Sequence, residues 1–251
     1  MAEESEPGWA IAVEAEPQLW IRGPGTYDGE WLELDVKKAK DYGRFEEPDL
    51  LFDLAAISRP ADAVAFIEKH GLLRAGPSAP AAAFRERFSE WEGVANTLRA
   101  TMQLYKIVQA ASAGDKDAVE DLRVNWSRHW RRDYGVPTSD SELVIQAAAQ
   151  VAASVNTGLR DVRTRIVSAG LIDDGDPSQY VFMAAAPSLV GFAYHLFALT
   201  CVTRQPLAAC ADCRRFFILT DKRQTYCTPT CSSRARYRRW KSSPQKKGDT
   251  Q

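Results

Sequence analysis

Two closely spaced pairs of cysteines constrain the fold of this chain more than any other feature of its sequence. Cys210 and Cys213 form a Cys-x2-Cys pair, and after thirteen further residues Cys227 and Cys231 form a Cys-x3-Cys pair. Two such pairs joined by a short loop can supply four thiolates to one metal ion with tetrahedral coordination. Zinc binds sulfur ligands readily and has no geometric preference beyond four ligands. We therefore expect all four cysteines to bind one zinc ion, with disulfide bonds or free thiols as the alternatives.

Metal binding is also what would allow this segment to fold. About 40 residues bury too little apolar surface to fold alone, so a bound metal supplies folding free energy. After a knuckle formed by the first pair, the pattern predicts a strand over 214–219, a turn over 220–223, a return strand over 224–226 and a helix over 232–241. Cys231 would lie in the first turn of that helix. This order is typical of a treble-clef zinc finger, with a small core of Phe216, Phe217 and Tyr226.

The cysteine-containing segment is also the most basic part of the chain. Between residues 204 and 247 there are twelve Lys or Arg and two Asp, which gives a net charge of about +10. The whole chain has a net charge of −1, so the remaining residues sum to about −11. A basic module on an acidic chain indicates a polyanionic partner.

The predicted C-terminal helix concentrates this positive charge. It carries five cations, namely Arg234, Arg236, Arg238, Arg239 and Lys241. Cations at this density repel each other unless an anion neutralises them, and a phosphate backbone does so with release of counterions. Arginine also makes bidentate contacts with phosphates and guanine edges. We expect these residues to contact DNA; a solvated helix, pairing with the acidic part of the chain, or an acidic protein partner are the alternatives.

This combination of residues resembles the CGNR zinc finger. The resemblance lies in Cys210-x2-Cys213, the aromatic strand at Phe216-Phe217, the Tyr226-Cys227-x3-Cys231 pair and the basic helix that follows Arg234. Ser232-Ser233 stands where the family has Gly-Asn, and Tyr226 stands where it usually has Trp. The resemblance implies a bacterial transcriptional regulator in which an N-terminal domain of ABATE type senses a ligand or stress signal. It covers roughly 45 residues.

The rest of the chain predicts an α+β fold. Short β-prone runs lie at 9–13, 18–21, 30–36, 162–166 and 180–184, and helical patterns cover 58–71, 81–113, 115–134, 139–156 and 187–202. We expect a mostly helical N-terminal domain with short strands over 1–203, with a sensing or regulatory role and a small-molecule effector. The zinc finger would occupy 204–241, and 242–251 would be a disordered tail.

The sequence contains no pattern typical of secretion, membrane insertion or catalysis. Residues 1–6 are acidic where a secretory signal would be basic, and the most apolar stretch, 189–202, is too short to span a bilayer. A cytoplasmic location follows as a prediction, and a reducing compartment favours metal over disulfides. The three histidines (His70, His129 and His195) and Cys201 lie outside the two cysteine pairs. We predict no enzyme; the alternatives are a protein-interaction module or an enzyme in the N-terminal domain.

Overall fold

The computed structural model describes residues 21–41, 49–74, 84–129, 137–168 and 180–242. Helices and short antiparallel strands make up this α+β protein, as predicted. The helices are α1 (Leu50–Ala56), α2 (Pro60–His70), α3 (Phe88–Ser112), α4 (Lys116–His129), α5 (Asp140–Gly158), α6 (Leu189–Val202) and α7 (Pro229–Ser242). Among the described residues, none of the helices is both long and apolar enough to cross a membrane.

The strands form small antiparallel sheets. They are β1 (Ile21–Arg22), β2 (Gly25–Tyr27), β3 (Trp31–Leu34), β4 (Lys40–Asp41), β5 (Arg85–Arg87), β6 (Arg163–Ser168), β7 (Tyr180–Ala185), β8 (Leu207–Ala209) and β9 (Phe216–Ile218). Their pairing is β1 with β4, β2 with β3 and β5, β6 with β7, and β8 with β9.

The chain divides into two compact units. The first comprises residues 1–101 and 148–199, and the second comprises residues 102–147 and 200–251. The division falls inside α3, α5 and α6. The sequence-based boundaries at residues 203 and 241 stay a prediction.

The three-stranded sheet of the first unit follows the alternation in its sequence only in part. Leu32 and Leu34 on β3 are buried at 0% and 2% exposure, as period-two patterning predicts. Val36, the next residue on that face of the strand predicted over 30–36, is instead 46% exposed. The reason is local: the Asp35 carboxylate accepts a hydrogen bond from the Lys37 N–H and begins a 3-10 turn that ends the strand.

The helix predicted over 81–113 begins later because of a buried carboxylate. Residues 85–87 form β5, which pairs with β3, and α3 begins at Phe88. The Glu86 carboxylate in β5 accepts hydrogen bonds from the backbone N–H groups of Leu73 and Arg74 and from the Trp91 indole N–H. These donors offset the cost of burying the charge and fix Glu86 in an extended segment.

The other predicted helices agree closely with the structure where it describes them. The helix predicted to end at Gly71 is α2, and Gly71 has a φ of +93° that favours glycine. At the start of α5, the Ser139 hydroxyl accepts the Glu142 N–H, as a capping box requires. The Glu142 carboxylate, however, bonds Thr138 rather than Ser139. Helix α1 was not predicted. The strand at 9–13, most of that at 18–21, and residues 243–251 of the predicted tail lie outside the described residues.

In the second unit, hydrogen bonds join α3 to the end of α6 and the residues that follow it. The Tyr105 hydroxyl lies 3.1 Å from the Thr200 carbonyl oxygen and 3.3 Å from that of Gln205. The Gln109 side-chain amide donates to the Gln205 carbonyl at 3.2 Å and to the Tyr105 hydroxyl at 2.8 Å. Burial raises the pKa of Tyr105 to about 12. These contacts hold the chain immediately before β8, where the cysteine-containing segment begins.

Candidate metal centre and basic helix

A hairpin positions the first pair of cysteines. β8 and β9 pair antiparallel, with Ala209 opposite Phe216, and the residues between them form the tight turn that carries Cys210 and Cys213. The Cys210 N–H donates to the Arg215 carbonyl at 2.9 Å, and the Arg214 N–H donates to the Cys210 carbonyl at 2.9 Å. Arg214 has a φ of +64°, a left-handed conformation that closes the turn. The knuckle expected from the Cys-x2-Cys spacing is therefore present.

The strand expected at 224–226 is not present, and this part of the sequence prediction was wrong. The partner of β9 is β8, which precedes the knuckle rather than following it. The knuckle itself reverses the chain, so the residues on its two sides pair directly. Residues 224–226 instead run past the knuckle, where the Thr225 carbonyl accepts the Ala211 N–H at 3.1 Å.

The second pair of cysteines is positioned by the beginning of α7. The Thr228 hydroxyl accepts the Cys231 N–H at 3.2 Å, and Pro229 occupies the first helical position, where its missing N–H costs nothing. Cys227 precedes this cap and Cys231 lies in the first turn, as the sequence predicts.

The four cysteines meet at one point. Their Sγ atoms all lie within 4.8 Å of one another, with 3.6 Å between Cys213 and Cys227 and 3.7 Å between Cys227 and Cys231. Cys210 and Cys231 are buried, whereas Cys213 is exposed. Such a cluster could hold a metal ion.

A small apolar core supports the cluster. Phe217 packs with Cys210 and Cys231, and Ala208, Leu219 and Tyr226 cover them. The expected core residues Phe217 and Tyr226 are therefore correct. Phe216 is buried as well, but alternation along β9 directs it to the opposite face of the strand.

The four thiols divide in their readiness to ionise: burial raises the pKa of Cys213 and of Cys227, whereas hydrogen bonds lower the pKa of Cys210 and of Cys231. For Cys210, burial opposes ionisation, but backbone N–H groups of Cys213 and Cys227 outweigh it and lower its pKa to about 7. Hydrogen bonds from Thr228 and Arg234 lower the pKa of Cys231. Thiolates are the form in which cysteine binds metals.

Asp212, inside the knuckle, joins the cluster to the basic helix. Its side chain is only 2% exposed, and it forms ion pairs with both Arg234 (3.1 Å) and Arg238. The Arg234 guanidinium also donates to the Sγ of Cys231 at 3.3 Å. Sequence analysis missed this role. The signal in the sequence is only partial: Asp212 is one of two acids in the basic segment and Arg234 and Arg238 share a helix face, but nothing in the sequence places the knuckle against that face.

The five predicted DNA-binding residues therefore fall into two groups. Arg234 and Arg238 lie on the side of α7 that faces the knuckle, although their side chains remain 60% and 64% exposed. Arg236 and Arg239 lie on other, exposed faces of the helix. Lys241 is also exposed, but it follows Arg234 by seven residues and so lies on the same side as Arg234, one turn beyond Arg238. The helix contains no acidic residue among its fourteen.

Two large aromatic side chains accompany the exposed cations. Tyr237 is 60% exposed and Trp240 is 68% exposed, and their ring centroids lie 5.9 Å apart with an interplanar angle of 36°. They lie three residues apart and so form neighbours on one helix face.

Among the residues that the structure describes, the other candidates are not members of the cysteine cluster. Burial raises the pKa of Cys201 to about 12, which is typical of a structural thiol. His70 is fully buried, with its Nε2 atom 2.9 Å from the Asp53 carboxylate. Burial lowers the pKa of His195. The side chain of His129 lies outside the described residues.

Comparison with known proteins adds no relative. No family model, curated protein or solved structure matches this chain. The resemblance to the CGNR zinc finger rests on the cysteines, aromatics and basic helix of the C-terminal segment.

Proposed function

We propose that Cys210, Cys213, Cys227 and Cys231 bind one structural zinc ion. Zinc–thiolate bonds of about 2.3 Å in a tetrahedron place neighbouring sulfur atoms about 3.8 Å apart. The distances of 3.6 and 3.7 Å between cluster sulfurs are close to this spacing. Four thiolate ligands leave no open position for a water molecule, so the ion would stabilise the fold rather than take part in catalysis.

We further propose that the module binds DNA and that the protein is a transcriptional regulator of the CGNR type. The observation that carries this proposal is a helix with five cations and no acid, whose first turn carries Cys231 of the four-cysteine cluster. Phosphates neutralise such a helix and release counterions from DNA. Arg236, Arg239 and Lys241 are the foremost phosphate contacts. Arg234 and Arg238 orient the helix through Asp212 and present their outer N–H groups to the same backbone.

Residues 1–203 would then regulate DNA binding. Together they carry a net charge of about −10, and the segment after residue 203 is strongly basic. Acidic residues of the regulatory part can compete with phosphate for the basic helix, and a small-molecule effector would relieve this competition. A regulator of this kind acts in the bacterial cytoplasm.

The salt dependence of DNA binding tests the proposal. The zinc-loaded full-length chain is titrated into a fluorescent mixed-sequence duplex at about 50 to 200 mM salt, and each phosphate contact contributes about −0.9 to the slope of log Kobs against log salt. Arg236→Ala is expected to reduce the slope by about one unit. Arg238→Ala, which removes a cation already paired with Asp212, is expected to reduce it by less.

Lys116→Ala is the matched control, because it removes one exposed cation that lies outside the cysteine-containing segment. It should leave the slope unchanged. If zinc-loaded protein fails to bind DNA at low salt, the DNA-binding proposal is wrong, and retention of an acidic protein would support the protein-interaction function instead.

A further inference from the structure

The outward face of α7 combines aromatic rings with positive charge. Cys231, Arg234 and Arg238 define the inward side of the helix, since they contact the cluster or Asp212. At 100° per residue, Trp240 lies opposite that side, with Arg236 and Tyr237 beside it. Trp240 and Arg236 therefore lie on the face most distant from the cysteine cluster, and Tyr237 lies at the edge of that face.

These rings are available to a ligand. The other aromatic rings of the cysteine-containing segment are better covered: Phe216 and Phe217 are 6% and 7% exposed, and Tyr226 is half-buried. In contrast, Tyr237 is 60% exposed and Trp240 is 68% exposed, and neither belongs to the small core around the cysteines. Exposed aromatic rings beside cations are characteristic of surfaces on which nucleic-acid bases stack.

We propose that Tyr237 and Trp240 form a stacking platform for unpaired bases, so that the module prefers single-stranded or locally opened nucleic acid to intact duplex. This inference rests on the proposed function, and it names the form of nucleic acid that the helix recognises. In an intact duplex the base faces are covered by their neighbours, and a ring can reach them only after a step is opened. A single strand offers bases and phosphates together.

The positions of the cations support a single strand in particular. Arg236 is four residues before Trp240 and one before Tyr237, so a phosphate bound by Arg236 would bring its own base next to the rings. Lys241 is four residues after Tyr237, so it lies beside that ring and can hold the next phosphate. The carboxylates of an acidic peptide would neutralise the cations, but they would not stack on most of the surface of the two aromatic rings.

The test compares two single strands that differ only in their bases, and a duplex whose bases are stacked and paired. The zinc-loaded full-length chain is titrated by fluorescence anisotropy against three probes of about 12 nucleotides: oligothymidine, an abasic strand with the same number of phosphates, and a mixed-sequence duplex. We expect oligothymidine to bind most tightly. Trp240→Ala should weaken oligothymidine binding about tenfold and change binding of the abasic strand less than twofold.

Variants separate stacking from charge and from folding. Trp240→Phe keeps a ring and should recover most of the affinity for oligothymidine. Arg236→Ala should weaken all three probes to a similar degree and flatten the salt dependence, whereas Trp240→Ala should leave the salt slope unchanged. Each variant must bind as much zinc per chain as the parent protein. This control shows that the cysteine-containing segment is still folded.

The results distinguish failure of this inference from failure of the proposed function. The stacking platform would be overturned if Trp240→Ala weakened the binding of oligothymidine and of the abasic strand equally. It would also be overturned if the protein bound the duplex more tightly than oligothymidine and Trp240→Ala did not change the affinity for the duplex. In both cases binding itself would persist, and the proposed function would stand. Absence of binding to all three probes at low salt, or binding of an acidic peptide alone, would overturn both.

Discussion

Asp212 is the residue on which the orientation of the basic helix depends. It lies between two metal-ligand candidates in sequence, its side chain is 2% exposed, and it pairs with two arginines one helical turn apart. A carboxylate in this place links the knuckle to α7, offsets one of the positive charges that a ligand meets, and holds two guanidinium groups in ion pairs. The same residue therefore stabilises the module and limits its affinity for phosphate.

Substitution of Asp212 by Asn should separate these two effects. Asn keeps the shape but removes the charge, so the module should lose about 1–3 kcal/mol of stability, measured by urea unfolding. At the same time Arg234 and Arg238 become available to phosphates, and the slope of log Kobs against log salt should become steeper by up to about two units. Asp221→Asn removes the other acid of the basic segment and is the control. A slope that is unchanged or shallower for Asp212→Asn would contradict this account.

The cysteines allow a similarly direct comparison. Cys213→Ser is expected to abolish stoichiometric metal binding, because three thiolates and a hydroxyl no longer form the four-sulfur site. Cys201→Ser is the matched control, since Cys201 is a half-buried thiol of α6 outside the cluster. Elemental analysis of the reduced proteins should find one zinc per chain in the parent and in Cys201→Ser. Parent protein without metal would refute the proposed site.

At the scale of elements, local signals in the sequence were sufficient for some features and not for others. The knuckle, the start of α7 and the end of α2 were predicted correctly, because each depends on cysteine spacing, a cap or a glycine within a few residues. The partner of β9 and the extended conformation of Glu86 were not. Pairing of β9 with β8 rather than with 224–226, and the bonds from Leu73, Arg74 and Trp91 to Glu86, depend on contacts that helical or alternating patterns do not encode.

The Asp212 ion pairs are also among the features that local signals in the sequence do not predict. The sequence places Arg234 and Arg238 on one helix face, but it does not show that the knuckle lies against that face. All five cations were therefore assigned to DNA alike, and only the structure divides them into two groups.

Two glycines test the helix packing of the first unit. A Cβ atom at Gly158, at the end of α5, would overlap the ring of Tyr194 on α6, so Gly158→Ala should destabilise the protein by about 1–3 kcal/mol. Gly93, in α3, has no atom within 4 Å of such a Cβ, and Gly93→Ala should stabilise the protein by about 0.5–1 kcal/mol. Thermal unfolding measures both. Equal effects of the two substitutions would show that α5 and α6 do not pack as described.

At the scale of the whole molecule, the contacts within the second unit indicate which residues should lose their structure when the metal is removed. Residues 200–251 cluster with residues 102–147, and Tyr105 and Gln109 bond the carbonyl oxygens of Thr200 and Gln205, directly before β8. The segment that contains the cysteines is thus continuous with a helical framework that needs no metal for its own hydrogen bonds.

Hydrogen exchange with and without a zinc chelator should show this limit. Chelation is expected to remove protection over 207–242, because the small core around Cys210 and Cys231 is too small to fold alone. Protection near Tyr105 should fall only in part, and that of α1 and α2 should not change. Added zinc should restore the original pattern, which controls for irreversible damage. Loss of protection in α2, or no loss of protection over 207–242, would contradict the expectation that the metal is needed to fold 207–242 alone.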